Sequence, residues 1–303
     1  MHTTLLLLPD FLLVACGFVL CRFTALGRPV WNGVERLVYY LLFPVLLFTS
    51  IQRSPLQPLA TLGLAAGAVA VVLAGIGCAY ALKYLPGIDP RLHASGAQTA
   101  FRFNSFIALA TAERLGGAQG LALIALVVAL AVPLCNLGAV WPLARHGGQP
   151  FGRELLRNPL ILATVAGLAA NLAGLPLPEA VAATLQRIGA AALPLGLMAA
   201  GAGLGFGSLG LAPRLSAGLL GIRHVGLPLL ALGLAVALRL PPLQAQVLVA
   251  FAAMPTASAA YVLAVRMGGH GPFVAGLVTL SMLLCTVTLP LWLAVLQALP
   301  RAP

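Results

Sequence analysis

Charge is what this 303-residue sequence has least of. Asp, Glu, Lys and Arg make up 8% of it, against about 25% in soluble globular domains. A chain so poor in polar surface is excluded from the soluble enzymes and the nucleic-acid-binding domains. Acids are scarcest, with Asp and Glu together numbering 6. The 5 cysteines form no CxxC and no Cys/His cluster of metal-ligand spacing, which excludes a zinc module or a secreted disulfide scaffold. No HExxH, no close acidic pair and no Ser/His or Cys/His constellation stands in any apolar run, so a membrane-embedded enzyme has no chemistry to work with. No cofactor and no metal are expected, and Cys16, Cys21, Cys78, Cys135 and Cys285 read as small buried hydrophobes.

Apolar residues fill the space. They make up 61% of the chain, and the mean hydropathy is +1.03. A helix needs about 20 apolar residues to span a bilayer, and hydropathy predicts ten spans, near 4–22, 34–51, 58–82, 96–114, 119–143, 158–176, 181–204, 216–238, 244–266 and 273–298. Breakers such as Gly27-Arg28-Pro29, Pro86-Gly87 and Pro241-Pro242 mark the connections. The fold class is therefore an all-α polytopic membrane protein, because open strands would leave backbone groups unpaired in lipid. Leu13-Val14-Ala15-Cys16 resembles a lipoprotein cleavage site, but no Lys or Arg precedes it and Pro9-Asp10 interrupts the apolar stretch. It reads as the first span.

The net charge of +11 is first a topology signal. Even-loop positions carry Arg22, Arg28, Arg36, Lys83, Arg91, Arg145, Arg153, Arg157, Arg214 and Arg266, and the other side carries Arg53, Arg114, Arg239 and Arg301. The richer side is cytoplasmic by the positive-inside rule, so both termini face outward from the cell inner (plasma) membrane. Arg102, Arg187 and Arg223 fall inside spans and are left out of that tally.

The longest connection, 144–157, divides the chain into 1–143 and 158–303. A shift of 150 carries Pro9 to Pro159, Gly17 to Gly167 and Pro44 to Pro194, and a shift of 152 carries Arg114-Leu115-Gly116-Gly117 to Arg266-Met267-Gly268-Gly269. A repeat of five spans is odd in number, so its second copy must insert upside down, giving two inverted five-helix halves. Chance coincidence in a Gly- and Pro-rich chain is the alternative. In such folds a substrate sits where paired spans are interrupted.

Two spans carry interruptions. Span four holds Arg102, Asn104 and Ser105 in an apolar run; span nine holds Pro255, Thr256 and Ser258. The 152 shift superposes Asn104 on Thr256. Proline removes a donor and displaces its helix, and a helix that restarts presents positive N–H ends suited to an anion. Each residue also has a purely structural reading. Arg102 could snorkel to the headgroups, Asn104 could bond a neighbouring helix, Thr256 and Ser258 could bond back to their own helix, and Pro255, like Pro44 and Pro194, could merely kink one. Tyr261 fits a cavity or an interface equally.

Three stretches carry a resemblance: Phe101-Arg102-Phe103-Asn104-Ser105, Met254-Pro255-Thr256-Ala257-Ser258-Ala259-Ala260-Tyr261, and Gly174-Leu175-Pro176-Leu177-Pro178 with Ala192-Leu193-Pro194-Leu195-Gly196-Leu197. The sequence resembles the auxin efflux carrier family over essentially its whole length. That resemblance implies ten helices as two inverted five-helix repeats with crossed, broken helices four and nine, in the fold group of bile-acid symporters and sodium/proton antiporters. It further implies a scaffold of spans one, two, six and seven that forms a homodimer, and a moving domain of the remaining spans. The cargo would be a small organic acid such as auxin, malate or malonate, and Asn104, Pro255, Thr256, Ser258 and Arg102 would inherit the substrate site. Many relatives carry a proline at the first crossover, where this chain has Asn104-Ser105-Phe106. The expected function is secondary transport of a carboxylate by alternating access, with the lipid bilayer, a homodimer mate and the small carboxylate as partners and no nucleic acid. A channel, or a transporter-derived sensor without turnover, is the rival.

Overall fold

The computed structural model describes residues 2–53, 61–144, 159–205, 209–257 and 259–299. Among them every regular element is helical. Six stretches are long and apolar enough to cross a membrane: Arg28–Thr49, Leu62–Tyr84, Pro90–Ala139, Glu179–Ala202, Pro213–Ala237 and Gly271–Ala298. Shorter apolar helices lie at Leu12–Phe23 and Pro242–Ala253. The expected connection 144–157 lies, apart from Ala144, outside the described residues.

In chain order the first half comprises α1 (His2–Phe23), α2 (Arg28–Leu37), α3 (Phe43–Arg53), α4 (Leu62–Ala81), α5 (Pro90–Gly96) and α6 (Ser105–Ala144). The stretch from Pro90 is not one rod. A 3-10 turn, Ala97–Ala100, ends α5, and Phe101 to Asn104 are not helical. A second interruption divides α6 at Gly116 and Gly117, the latter at φ +53°, a left-handed value that glycine adopts without steric cost. The arms 105–115 and 118–144 therefore run in different directions.

The second half comprises α7 (Pro159–Leu172), α8 (Glu179–Ala190), α9 (Ala192–Ala202), α10 (Pro213–Gly221), α11 (Leu227–Ala237), α12 (Pro242–Ala253), α13 (Ala259–Arg266) and α14 (Gly271–Ala298). After α13 the chain turns at Gly268, φ +73°. The Gly-Gly pairs matched by the 152 shift thus both hold turns, and both follow a helical arm that begins at an interruption.

Two helix starts lie earlier than hydropathy places them, because polar residues at the ends depress the running average. Arg28 and Glu35 form an ion pair at 2.9 Å along the first turns of α2, and Pro29 sits where its missing N–H costs nothing. Asp89 caps α5, accepting from the N–H groups of Arg91 at 2.7 Å and Leu92 at 3.0 Å. Those two amides, Leu92 first, hold its carboxyl below the usual carboxylate range.

Two prolines inside long stretches are each preceded by a π-turn: Val38–Leu42 before Pro44 and Ile222–Gly226 before Pro228. A wider turn makes room for the proline ring against the carbonyl four residues back. At Pro228 that carbonyl belongs to His224, and it accepts from Trp292 Nε1 at 2.8 Å.

Glycine sets the closest helix contacts. A β-carbon at Gly17 in α1 would stand 1.9 Å from the Met198 carbonyl oxygen of α9, and one at Gly167 in α7 would stand 3.0 Å from the Phe48 carbonyl oxygen of α3. The shift of 150 that carries Gly17 to Gly167 also carries Phe48 to Met198. The two contacts are thus reciprocal: each half lends the glycine in one place and the opposing carbonyl in the other. Small residues that let backbones approach are the usual adhesive between helices in lipid.

The cysteines correct one expectation. Cys135 and Cys285 are buried, but Cys16 and Cys78 are exposed and Cys21 is half-buried. An apolar side chain on a membrane helix needs no protein cover, because lipid is as apolar as the core.

Candidate functional site

The two interruptions meet. The Asn104 N–H donates to the Pro255 carbonyl at 2.8 Å, the Thr256 hydroxyl donates to the Thr99 carbonyl at 2.6 Å, and Gln98 Nε2 donates to the Ala260 carbonyl at 3.2 Å. The rings of Phe103 and Phe251 pack edge to face with centroids 4.7 Å apart. Backbone groups that helix geometry leaves unpaired at one break are thereby satisfied by the other.

The causes of the two breaks differ. Met254 is extended, at φ −60° and ψ 147°, because the residue before a proline is driven out of the helical region. Span four breaks without a proline: Asn104 Oδ1 accepts from the N–H groups of Phe106 at 3.0 Å and Ile107 at 3.3 Å, an N-cap that starts α6 afresh. Matched thiols lie behind the breaks. Cys135 Sγ donates to the Phe101 carbonyl at 3.4 Å and Cys285 Sγ to the Ala253 carbonyl at 3.6 Å. The 150 shift pairs those cysteines, and the 152 shift pairs their acceptors.

Beside the two breaks lies a cavity of roughly 290 Å³. Arg102, Phe103, Asn104, Ser105 and Phe106 line it from the first break, Ala257 and Ala259 from the second. Tyr39, Val132, Cys135 and Asn136 complete the wall. The starts of α6 and α13 therefore both open onto it, each with the positive end of its helix dipole. Arg102 is half-buried on the cavity wall, and its Nη1 donates to Gln98 Oε1 at 3.3 Å. Gln98 is thus held between that guanidinium and the start of α13. Among the described residues no Asp or Glu lines the cavity.

The residues singled out from sequence divide accordingly. Arg102 and Asn104 reach the cavity. Pro255 and Thr256 are buried at the junction and are not part of the lining; Thr256, superposed on Asn104 by the repeat, spends its hydroxyl on Thr99. Ser258 lies outside the described residues. Tyr261 is 43% exposed on α13 and is not part of the cavity lining.

Three residues absent from that set join the site. Asn136 contributes an amide to the cavity wall. Arg223, 1% exposed, donates from Nε to the Met254 carbonyl at 2.5 Å and from Nη2 to the Phe251 carbonyl at 3.2 Å. His224, 3% exposed, contacts Ser281 Oγ through Nε2 at 2.9 Å and Thr288 Oγ1 through Nδ1 at 3.0 Å. Ser281 Oγ in turn accepts the Thr256 N–H at 2.9 Å. A sequence signal existed for the pair, since two ionisable residues in the middle of an apolar span mark a functional site by default.

A family model described as membrane transport protein matches residues 145–293, which contain the whole second interruption. An uncharacterized transporter of Methanothermobacter thermautotrophicus is 28% identical over 302 residues, covering 98% of this chain and 99% of that one. Both findings support a multi-pass membrane transporter, and the second half of the chain is similar to the membrane transport protein family, in line with the resemblance to the auxin efflux carriers that its interrupted spans carry.

Proposed function

We propose that the protein is a secondary transporter of a small organic acid anion and works by elevator-type alternating access. The observation that carries this reading is the cavity: two helix N-termini and the Arg102 guanidinium converge on it, and among the described residues no carboxylate lines it. A carboxylate near a helix N-terminus gains about 0.3 to 2 kcal/mol, more when partly buried, and a guanidinium adds paired donors that match its two oxygens. The aromatic rings of Tyr39, Phe103 and Phe106 would cover the apolar part of the cargo. Arg102 has the reach to bind the anion or to guard the mouth.

Alternating access needs two equivalent arrangements, which two inverted halves supply. A ten-span inverted repeat is supported by the reciprocal Gly17–Met198 and Gly167–Phe48 contacts, the paired Gly-Gly turns and the paired thiols behind the breaks. In this arrangement spans one, two, six and seven form the scaffold and the dimer interface, and the remaining spans carry the cavity across. Counterflow tests the transport reading. Proteoliposomes loaded with an unlabelled carboxylate should accumulate the labelled one transiently above equilibrium, because a carrier exchanges one for the other. Simple equilibration without overshoot would instead mark a channel, the rival reading.

The distribution of Lys and Arg between the loops favours both termini outside the plasma membrane and 144–157 inside. A cysteine at Gly148 should resist an impermeant maleimide in intact spheroplasts, while one added after Pro303 should react. The reverse pattern would invert the topology.

A further inference from the structure

The π-turn Ile222–Gly226 places two adjacent ionisable side chains, Arg223 and His224, in the interior. They act on opposite sides of the second break. Arg223 holds the carbonyl of Phe251, in the last turn of α12 and so at the negative end of its dipole, and that of Met254, the extended residue that follows the helix. His224 holds Ser281, whose oxygen accepts the first amide after Pro255. Trp292 pins the His224 carbonyl to α14. The first half has no counterpart: shifting Arg223 back by 150 or 152 lands on Leu73 or Val71.

A guanidinium buried among carbonyl oxygens occupies the place that a bound cation would take at an interrupted helix. We propose that Arg223 is a tethered counter-ion for the C-terminal end of α12, a positioning residue that keeps Met254 to Ala257 out of the helix so that α13 starts at the cavity wall. His224 completes the clamp from the amide side. The break is then held by the chain's own charge, with no ion needing to bind there, whichever anion is carried.

The physical consequence is local. Without the guanidinium the carbonyls of Phe251 and Met254 lose the Arg223 donors, Phe251 keeping only the Met254 N–H at 3.3 Å, while the rest of the bundle keeps its packing. Hydrogen exchange read by mass spectrometry on the detergent-solubilised full chain compares wild type, Arg223→Ala and Arg223→Lys, each with and without millimolar methylguanidinium. In Arg223→Ala, peptides covering 251–257 are expected to exchange about tenfold faster, with peptides from α4 unchanged. Methylguanidinium should slow them again by refilling the vacated place, and Arg223→Lys should fall between wild type and Arg223→Ala. Wild-type exchange should not respond to the additive. Unchanged exchange of 251–257 in Arg223→Ala would overturn the proposal, as would acceleration that neither lysine nor methylguanidinium repairs. Should Arg223→Ala fail to fold, Arg223→Lys decides alone: acceleration confined to 251–257 supports the clamp, and acceleration spread evenly over the chain refutes it. No substrate enters the assay, so its outcome is independent of the transport reading.

Discussion

Replacing Asn104 with aspartate is expected to leave the protein folded and to abolish carriage of a carboxylate. Asn104 Oδ1 caps α6 through the amides of Phe106 and Ile107, and aspartate is an equally good cap, so the break and the start of the helix survive. What changes is the charge on the cavity wall. A like charge set against a bound carboxylate costs several kcal/mol, so affinity should fall by about a hundredfold or more, each 1.4 kcal/mol being a factor of ten. Asn104→Ala separates the two roles differently. It removes the cap at a cost of about 1 kcal/mol and should lower both thermal stability and uptake. Uptake of labelled carboxylate and a thermal melt on each variant make the comparison. Aspartate that melts with the wild type and transports at its rate would remove Asn104 from the substrate site.

The same residue shows how far the sequence could be read. An amide beside an arginine in an apolar span was legible as an interruption, and the proline of span nine announced the second one, because both signals are local. Which way each side chain faces was not legible. Helical periodicity assigns a face only while the backbone is helical, and Phe101 to Asn104 and Met254 to Ala257 are not. Thr256 therefore read as an equal partner of Asn104, although its hydroxyl is committed to Thr99 on the opposite break.

Arg223 and His224 failed to stand out for a related reason. Within a span they add nothing to a loop charge tally, and their partners, Met254, Phe251 and Ser281, are distant in sequence. The π-turn that directs both inward could be suspected only from Pro228. Cys135 and Cys285 were ordinary apolar positions one at a time. Their roles emerge only when each thiol is seen behind its own break. The coarse fold was the most legible feature, because hydropathy runs and the positions of Gly and Pro depend on the bilayer and the backbone rather than on contacts between distant residues.

Transport is expected to respond to membrane potential and to be indifferent to sodium. The 6 acids of the chain are Asp10, Glu35, Asp89, Glu113, Glu154 and Glu179, and among the described residues no acid lines the cavity. Glu35 pairs with Arg28 and Asp89 caps α5. Among the described residues the charged side chains bonded at the two breaks are Arg102 and Arg223, both cations, so on this account no sodium ion or carboxylate-borne proton is required there. A net negative cargo then crosses with uncompensated charge, and the potential acts on it with about 2.3 kcal/mol per charge at 100 mV, equivalent to about a 50-fold accumulation. The most direct measurement is uptake of a labelled carboxylate into proteoliposomes whose potential is set by a potassium gradient and valinomycin, in sodium buffer and again in choline. The account predicts that an inside-positive potential drives uptake, that an inside-negative one suppresses it, and that sodium makes no difference; uptake that requires sodium, or a rate unmoved by the potential, would contradict it.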